Sequence, residues 1–308
     1  MDINRSLMSA VYTYISMRFK NAFTGAAAKS TYQVFCMLDG NVNSKVLEFP
    51  FLEAFAFMRE WIGSRKAKNL ASKKLRIVER AFEDTIGIPM RDIETDSWQQ
   101  YGTIFGQMGQ AGEQLWDRLA VAALTGAGNW IDDKAFFLST ASGNGARKYG
   151  SSIIVNKATD ALTAEIFAAK RTIMMSYSGH KGESLGVVPD TLMVGPALED
   201  TAWDILENEF RYDATDKVQI KNKNKGRAKV VVNKRLVGDY ANHWYLMDCS
   251  GEIKPVILQQ SKKAKLTRMD NETDANVFMN GEALYGSDAY GNAAAAFPHL
   301  VFGGIVAA

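Results

Sequence analysis

The five residues Gly182-Glu183-Ser184-Leu185-Gly186 carry the spacing of a nucleophile elbow. In that motif a serine on a tight turn attacks an acyl group, and the turn must be fed by a strand and followed at once by a helix. His243 and His299 lie downstream as potential bases. The context is reversed, however: a polar loop precedes Ser184 and an apolar, strand-like run follows it. A serine hydrolase using Ser184 is therefore the weakest reading. Gly143-Asn144-Gly145, followed by Arg147-Lys148, offers backbone amides and cations to a phosphate, but it lacks the flanking strand, the helix and the Gly-Lys-Ser/Thr ending of a phosphate loop. Asp270, Glu272 and Asp274 form an acidic trio without the spacing or the glycine of a calcium loop, and read as a solvated turn. His180, His243 and His299 stand far apart, none with a second His or a Cys at metal-ligand spacing. Cys36 and Cys249 read as two reduced thiols. No metal and no cofactor is implied.

Charge narrows the field further. With 308 residues, the chain has length for one large domain or two linked lobes. Thirty-six Lys and Arg against 34 Asp and Glu leave a net charge of +2, too balanced for a protein dedicated to coating DNA. Met1-Asp2-Ile3-Asn4-Arg5 has none of the features of a signal peptide. No run approaches the roughly 18 apolar residues of a membrane span, so a soluble, non-secreted, non-membrane protein is expected. Two basic runs break the balance. Between residues 64 and 80, Arg65, Lys66, Lys68, Lys73, Lys74, Arg76 and Arg80 face one acid, Glu79, a local charge of +6. With only Leu70, Leu75 and Ile77 as large apolar anchors, this segment is a solvated loop or an extension that docks on a partner. The second run holds Lys221, Lys223, Lys225, Arg227, Lys229, Lys234 and Arg235; without interleaved aromatics for base stacking it reads as a solvated hairpin tip.

The elements that would position these groups follow from periodicity. Ile3, Leu7, Val11, Ile15, Phe19 and Phe23 recur every four residues and predict a helix, either an arm leaning on something else or a helix packed on its own domain. Thr24 to Ser30 is a Gly/Ala-rich joint. Tyr32 to Leu38, the turn Asp39-Gly40-Asn41 and Lys45 to Phe49 predict a hairpin. Pro50 opens a short helical stretch that Gly63 closes. Residues 82–94 predict a strand that Pro89 makes an edge or bulged one. Asp92, Glu94 and Asp96 are expected at the start of a helix from about Asp96 to Leu124, roughly 40 Å long. Four glycines inside it, Gly102, Gly106, Gly109 and Gly112, each cost about 1 kcal/mol of helix propensity relative to Ala. Tolerating them implies that another backbone approaches closely or that the helix bends. Helices are also expected over Leu162–Tyr177 and Pro196–Phe210, and a buried strand over Thr191–Val194. Lys217–Val237 predicts a long hairpin. Further strands are expected at Trp244–Met247, Val256–Gln260, Ala264–Met269 and within Ala283–Val306. The composite is α+β.

Several segments resemble one family. Phe57-Met58-Arg59-Glu60-Trp61-Ile62-Gly63-Ser64-Arg65 is similar to a signature of the major head subunit of Mu-like phages. The likeness continues through Phe82-Glu83-Asp84-Thr85-Ile86, Arg91-Asp92-Ile93-Glu94-Thr95-Asp96 and Pro255-Val256-Ile257-Leu258-Gln259. It returns at Asp274, Val277-Phe278, Tyr285-Gly286 and Asp288-Ala289-Tyr290-Gly291-Asn292. The chain departs at Tyr290, where the family usually has Arg, at Ala293 to Ala296, and over its first 50 residues.

The resemblance implies an HK-97-type capsid fold. Residues 1–30 would be an N-terminal arm. Residues 31–150 would be a peripheral domain with an extended loop at about 64–82 and a spine helix at about 96–124. Residues 151–253 would be an axial domain, and 254–308 strands returning to the peripheral domain. It implies a non-enzymatic major capsid protein that self-assembles, as hexamers and pentamers, into an icosahedral shell around double-stranded DNA. Assembly would take place in the host bacterial cytoplasm and end in the virion. Scaffold and maturation protease would be transient partners, with portal and decoration proteins as others. A shell of the same fold around a protein cargo is the alternative. Contacts between subunits would join the basic Arg65, Lys66, Lys68, Lys73, Lys74 and Arg76 of one copy to Glu83, Asp84, Asp92, Glu94 and Asp96 of the next.

Overall fold

The computed structural model describes residues 5–39, 44–52, 70–139, 145–149, 152–179, 182–213, 218–271 and 273–306. Helix α1 (Arg5–Ala27) leads into a helical turn α2 (Tyr32–Phe35) and strand β1 (Cys36–Asp39). Strands β2 (Val46–Leu52), β3 (Leu70–Val78) and β4 (Arg80–Pro89) precede a turn of helix α3 (Met90–Glu94) and the long α4 (Gly102–Thr125). Short strands β5 (Arg147–Tyr149), β6 (Ser152–Ile154) and β7 (Lys157–Ala158) lead to α5 (Ala164–Met175). Next come β8 (Thr191–Val194), α6 (Glu199–Leu206), β9 (Phe210–Asp213), β10 (Val218–Lys221), β11 (Lys229–Val232) and β12 (Trp244–Met247). The chain ends through the long β13 (Val256–Met269), α7 (Ala275–Asn280), the long β14 (Glu282–Ala295) and β15 (Val301–Gly304).

Two sheets organise the molecule. One has the order β1-β13-β14-β4, parallel between β1 and β13 and antiparallel elsewhere. Alternation along β14 buries Ala283, Tyr285, Ser287, Ala289 and Gly291 on the face that carries α4. The other sheet has the order β11-β8-β12-β15-β7. Its three central strands, β8, β12 and β15, are buried at every position, as strands covered on both faces must be. Helix α6 lies against β8 and β11, and the Lys170 ammonium of α5 sits 5.7 Å above the Phe302 ring of β15.

The N-terminal helix packs on its own chain. Met8, Val11, Ile15 and Phe19 are buried against α4, together with Phe105 and Met108. Burying each such side chain contributes about 2 kcal/mol. Gly109 makes the seam possible: a Cβ there would stand 2.2 Å from the Phe19 carbonyl oxygen of α1; one at Gly112 would instead stand 2.7 Å from the Ala264 Cβ of β13. The close backbone approach expected from the sequence is therefore present, and α1 is the backbone that approaches.

Several expected elements differ. The helix of the spine begins at Gly102, not Asp96: Asp96 sits at φ 58° and Trp98–Tyr101 form a 3-10 turn, so Asp92 and Glu94 belong to the separate turn α3. The strand of residues 82–94 stops at Pro89, as an edge strand. β1 and β2 do not form a hairpin. β1 runs parallel to β13, and β2 pairs antiparallel with β3 from Val46 opposite Val78 to Leu52 opposite Leu70. Pro50 to Leu52 continue β2 instead of opening a helix, and residues 53–63 lie outside the described residues. The Lys217–Val237 hairpin is absent: β10 pairs with β9, and β11 runs parallel to β8. Its Lys-Asn alternation is a tether. Asn222 is buried and its Nδ2 donates to the Ile205 and Asn208 carbonyls, both at 2.9 Å, at the end of α6; the lysines face outward. The third helix ends at Leu206 before Phe210 starts a strand. The C-terminal strands are shared out, β13 and β14 in one sheet and β15 in the other.

Candidate inter-subunit surfaces

The residues that looked catalytic are placed for other tasks. Ser184 is exposed, pairs with Ser178 as an isolated bridge, and its hydroxyl accepts the Gly186 N–H at 3.1 Å. His243 is buried with its ring nitrogen 3.3 Å from the Tyr245 hydroxyl, and burial lowers its pKa, helped by Lys157. His299 is buried and pushed down to about 3 by desolvation. Gly143 and Asn144 lie outside the described residues. The neighbouring Arg147 is spent internally: Nε and Nη2 reach the Asp132 carboxylate at 2.8 and 3.1 Å, and Nη1 reaches the Phe136 carbonyl at 2.8 Å. Desolvation pushes the Asp132 pKa up, but the hydrogen bond and charge of Arg147, together with the N–H and charge of Lys134, outweigh it and the net shift is down. Asp270 is buried and accepts the Tyr285 hydroxyl at 3.0 Å; Asp274 precedes α7 and accepts the Asn271 N–H at 2.9 Å. Among the described residues no group of three or more His, Cys, Asp or Glu could hold a metal, and no helix is long and apolar enough to cross a membrane. Both cysteines are free.

The ribbon β2/β3 carries the first surface. Leu47 and Ile77 are buried at its base, with Phe49 and Leu75 half-buried, so one face is anchored to the body. Glu48, Lys74 and Arg76 lie on its exposed face. The Lys74 ammonium donates to Glu48 at 2.8 Å and lowers its pKa, an exposed pair that contributes little to stability. Arg65, Lys66 and Lys68 lie outside the described residues, and Lys73 lies on β3.

The five expected acids do not form one surface. Glu83 and Asp84 are consecutive on β4 and so point to opposite sides of the sheet. Glu83 takes a hydrogen bond from the Thr85 hydroxyl at 3.1 Å; both Glu83 and Asp84 border a cleft with Phe82, Met108 and Arg118. Asp92 and Glu94 stand at the far end of β4, some six residues or roughly 20 Å away. There the Tyr101 hydroxyl donates to Asp92 at 2.6 Å, a bond that raises the tyrosine pKa. Asp96 is exposed in the following turn.

The structure adds an exposure that the family likeness at Val277-Phe278 did not signal. Phe278 is 85% exposed and Met279 77% exposed on α7, the tip of the long β13–β14 hairpin. The available signal was a Val-Phe-Met triplet between turn residues, too short to be an amphipathic helix with a core of its own to meet.

A model of the Mu-like prophage major head subunit gpT matches residues 8–148, 133–236 and 233–305. The chain belongs to this family of Mu-like major head subunits. Its relatives include the Mu-like prophage FluMu major head subunit of Haemophilus influenzae, 22% identical over 99% of this chain and 76% of that protein. The major capsid protein of Escherichia phage Mu is 21% identical over 84% of this chain and 61% of that protein. Solved structures share the fold. The procapsid protein of bacteriophage JBD30 superposes with a TM-score of 0.58 at 22% identity, covering 98% of this chain and 75% of that one. A virus-like particle from Pyrococcus furiosus gives 0.53 at 9% identity, covering 93% and 98%. The chain is thus the major capsid protein of a Mu-like phage head, a virion component with an α+β fold of the HK-97 type, and the family is structural and not enzymatic.

Proposed function

We propose that this subunit closes an icosahedral shell around double-stranded DNA by meeting copies of itself as hexamers and pentamers, assembled in the host bacterial cytoplasm. Scaffold and maturation protease act transiently, and portal and decoration proteins join the same shell. In this reading α1 is the N-terminal arm, the β2/β3 ribbon the extended loop, and α4 with its four-stranded sheet the peripheral domain. The five-stranded sheet with α5 and α6 is the axial domain.

One observation carries the reading. The ribbon is anchored by Leu47 and Ile77, yet residues 64–80 hold seven cations, far more than Glu48 and Glu79 can match. Charge of this kind sets register and speeds encounter between copies. Cohesion comes from the area that the axial domain buries between copies, because the apolar stripe of α1 is already spent on α4.

The test is negative-stain electron microscopy of the full chain, alone and with its scaffold. Closed shells or ring-shaped capsomers are expected. The double variant Lys73→Glu and Lys74→Glu should keep the subunit's melting temperature within about 1–2 °C and lose closed shells. A stable monomer under both conditions, or normal shells from the variant, overturns the proposal. A shell around protein cargo would instead copurify with enzyme and without DNA.

A further inference from the structure

The four-stranded sheet and its helices sort their charge. Helix α1 carries Arg5, Arg18 and Lys20 and no acid, and the long strand β13 carries Lys262, Lys263, Lys265 and Arg268 and no acid. The next strand reverses the balance: β14 holds Glu282 and Asp288 and no cation, and β4 beyond it holds Glu83 and Asp84 against Arg80. The two basic elements meet. The Tyr12 hydroxyl of α1 donates to the Leu266 carbonyl of β13 at 3.5 Å, and the Arg268 guanidinium lies 4.5 Å over the Tyr12 ring.

A cleft of about 200 Å³ runs between them, with Lys20, Lys265 and Ser16 at its sides and Phe19, Phe23 and Leu266 below. No acid lines it. Two other cations of β13 are already paired, Lys262 with Asp288 and Arg268 with Asp270 at 3.7 Å. Lys20 and Lys265 are exposed, and neither has an ion pair among the described residues. A cleft lined by one sign of charge over an apolar floor focuses its field outward and gathers counter-ions. The Lys-Asn run of residues 221–225 differs here. Asn222 ties it to the end of α6, whose exposed Glu199, Asp200, Asp204 and Glu207 oppose its charge.

We infer that the α1–β13 cleft lies against the phosphate backbone of double-stranded DNA inside the shell. The inference rests on the shell reading above and assigns the face of the subunit that turns inward. The composition of the surface favours a nucleic-acid backbone over an acidic protein. Protein contacts are enriched in aromatic residues and depleted in Lys, whereas here the aromatic rings form the floor and Met17 is the one large apolar side chain left exposed on α1. Ser9, Thr13, Ser16, Lys20 and Thr24 follow one another at three- and four-residue spacing and so form a single stripe along α1. Hydroxyls and ammoniums are the groups that hold phosphate oxygens without reading bases. The whole chain has a net charge of only +2, so one contact is weak, and the shell multiplies it by its copy number.

The test measures binding of the full chain to a short DNA duplex of mixed sequence between about 50 and 200 mM salt. Lys20→Gln with Lys265→Gln should melt and form shells as the parent does, while the slope of log affinity against log salt falls by about 2. Lys223→Gln with Lys225→Gln should leave that slope unchanged. In a second experiment, Lys20→Cys should react with a polymer-linked maleimide in free subunits and be shielded from it in closed shells. An unchanged slope in the cleft variant, a slope lost in the Lys223 and Lys225 variant instead, or labelling of Lys20→Cys in closed shells overturns the inference and leaves shell formation intact. Poly-glutamate binding that the cleft variant loses while duplex binding persists identifies an acidic protein partner and overturns it too. A parent that forms no shells refutes the shell reading instead, and the duplex measurement is independent of that result.

Discussion

The α1–α4 seam and the β2/β3 ribbon with the tip of α7 solve opposite problems. At the seam, everything that could face water has been turned inward. Glycines let the backbones meet, Val11 and Ile15 are fully buried, and two carboxylates of α4 are consumed by the chain's own joint. Asp117 accepts the Tyr32 N–H at 2.7 Å and the Thr31 hydroxyl at 3.0 Å; Glu113 accepts the Tyr32 hydroxyl at 3.0 Å. The other lobe joins the same point, since Asn233 Nδ2 donates to the Thr31 hydroxyl oxygen at 2.8 Å. At the described strands of the ribbon and at the tip of α7, by contrast, charge and large apolar groups are left exposed. The seam should govern whether the subunit folds, and these exposed surfaces whether it assembles. Substitutions can break that division in either direction.

The largest effect is expected at Asp117. Replacing it with Ala leaves the buried Tyr32 N–H and its neighbours without an acceptor, at a cost of about 3 kcal/mol. Urea unfolding of the isolated subunit measures this, and a loss below about 1 kcal/mol would show that water takes over the joint. Next comes a pair of glycines on one helix. Gly109→Ala gains about 1 kcal/mol of helix propensity but drives a methyl into the Phe19 backbone at 2.2 Å. A net loss of about 2 kcal/mol is expected. At Gly106 the nearest atom is the Ala22 Cβ at 3.9 Å, an ordinary contact, so Gly106→Ala should stabilise by up to about 1 kcal/mol. The same sign at both positions would mean that α1 does not hold its place on α4 in solution.

Sequence reading worked where a pattern reports on burial within the chain. The spacing of Val11, Ile15 and Phe19 and the four glycines of α4 each left two outcomes, of which the structure takes the packed helix and the close backbone approach; the uninterrupted apolar runs at Thr191–Val194 and Trp244–Met247 left one. It failed where partners are chosen between strands far apart in sequence. Nothing local tells β1 to lie beside Val256, or sends the Lys-Asn run to tie down α6 instead of closing a hairpin. The acids expected at an interface were legible as acids but not as places: the two-residue period of β4 splits Glu83 from Asp84, and the left-handed Asp96 cuts both α3 acids off from α4. Family likeness supplied the function, and the exposed Phe278 had no period to betray it.

The smallest effect sharpens the seam itself. Burial raises the Glu113 pKa above its ordinary value of 4.5, against the hydrogen bond from Tyr32 and the charge of Lys263, with Asp117 adding to the rise. The folded state thus binds this proton more tightly than the unfolded chain does. Its contribution is fully present below pH 4.5 and is lost as pH climbs through that value toward the raised one. Glu113→Gln keeps an acceptor for the Tyr32 hydroxyl but has no proton to lose. The difference in unfolding free energy between the variant and the parent should therefore shift in the variant's favour as pH rises, and level off once Glu113 is ionised in both states. Measuring that difference by urea titration from roughly pH 4 to 8 cancels the other carboxylates, which the two proteins share. A flat difference would mean that Tyr32 and Lys263 fully offset the burial of this carboxylate, and that the joint between α2 and α4 is as indifferent to protons as the glycine seam beside it.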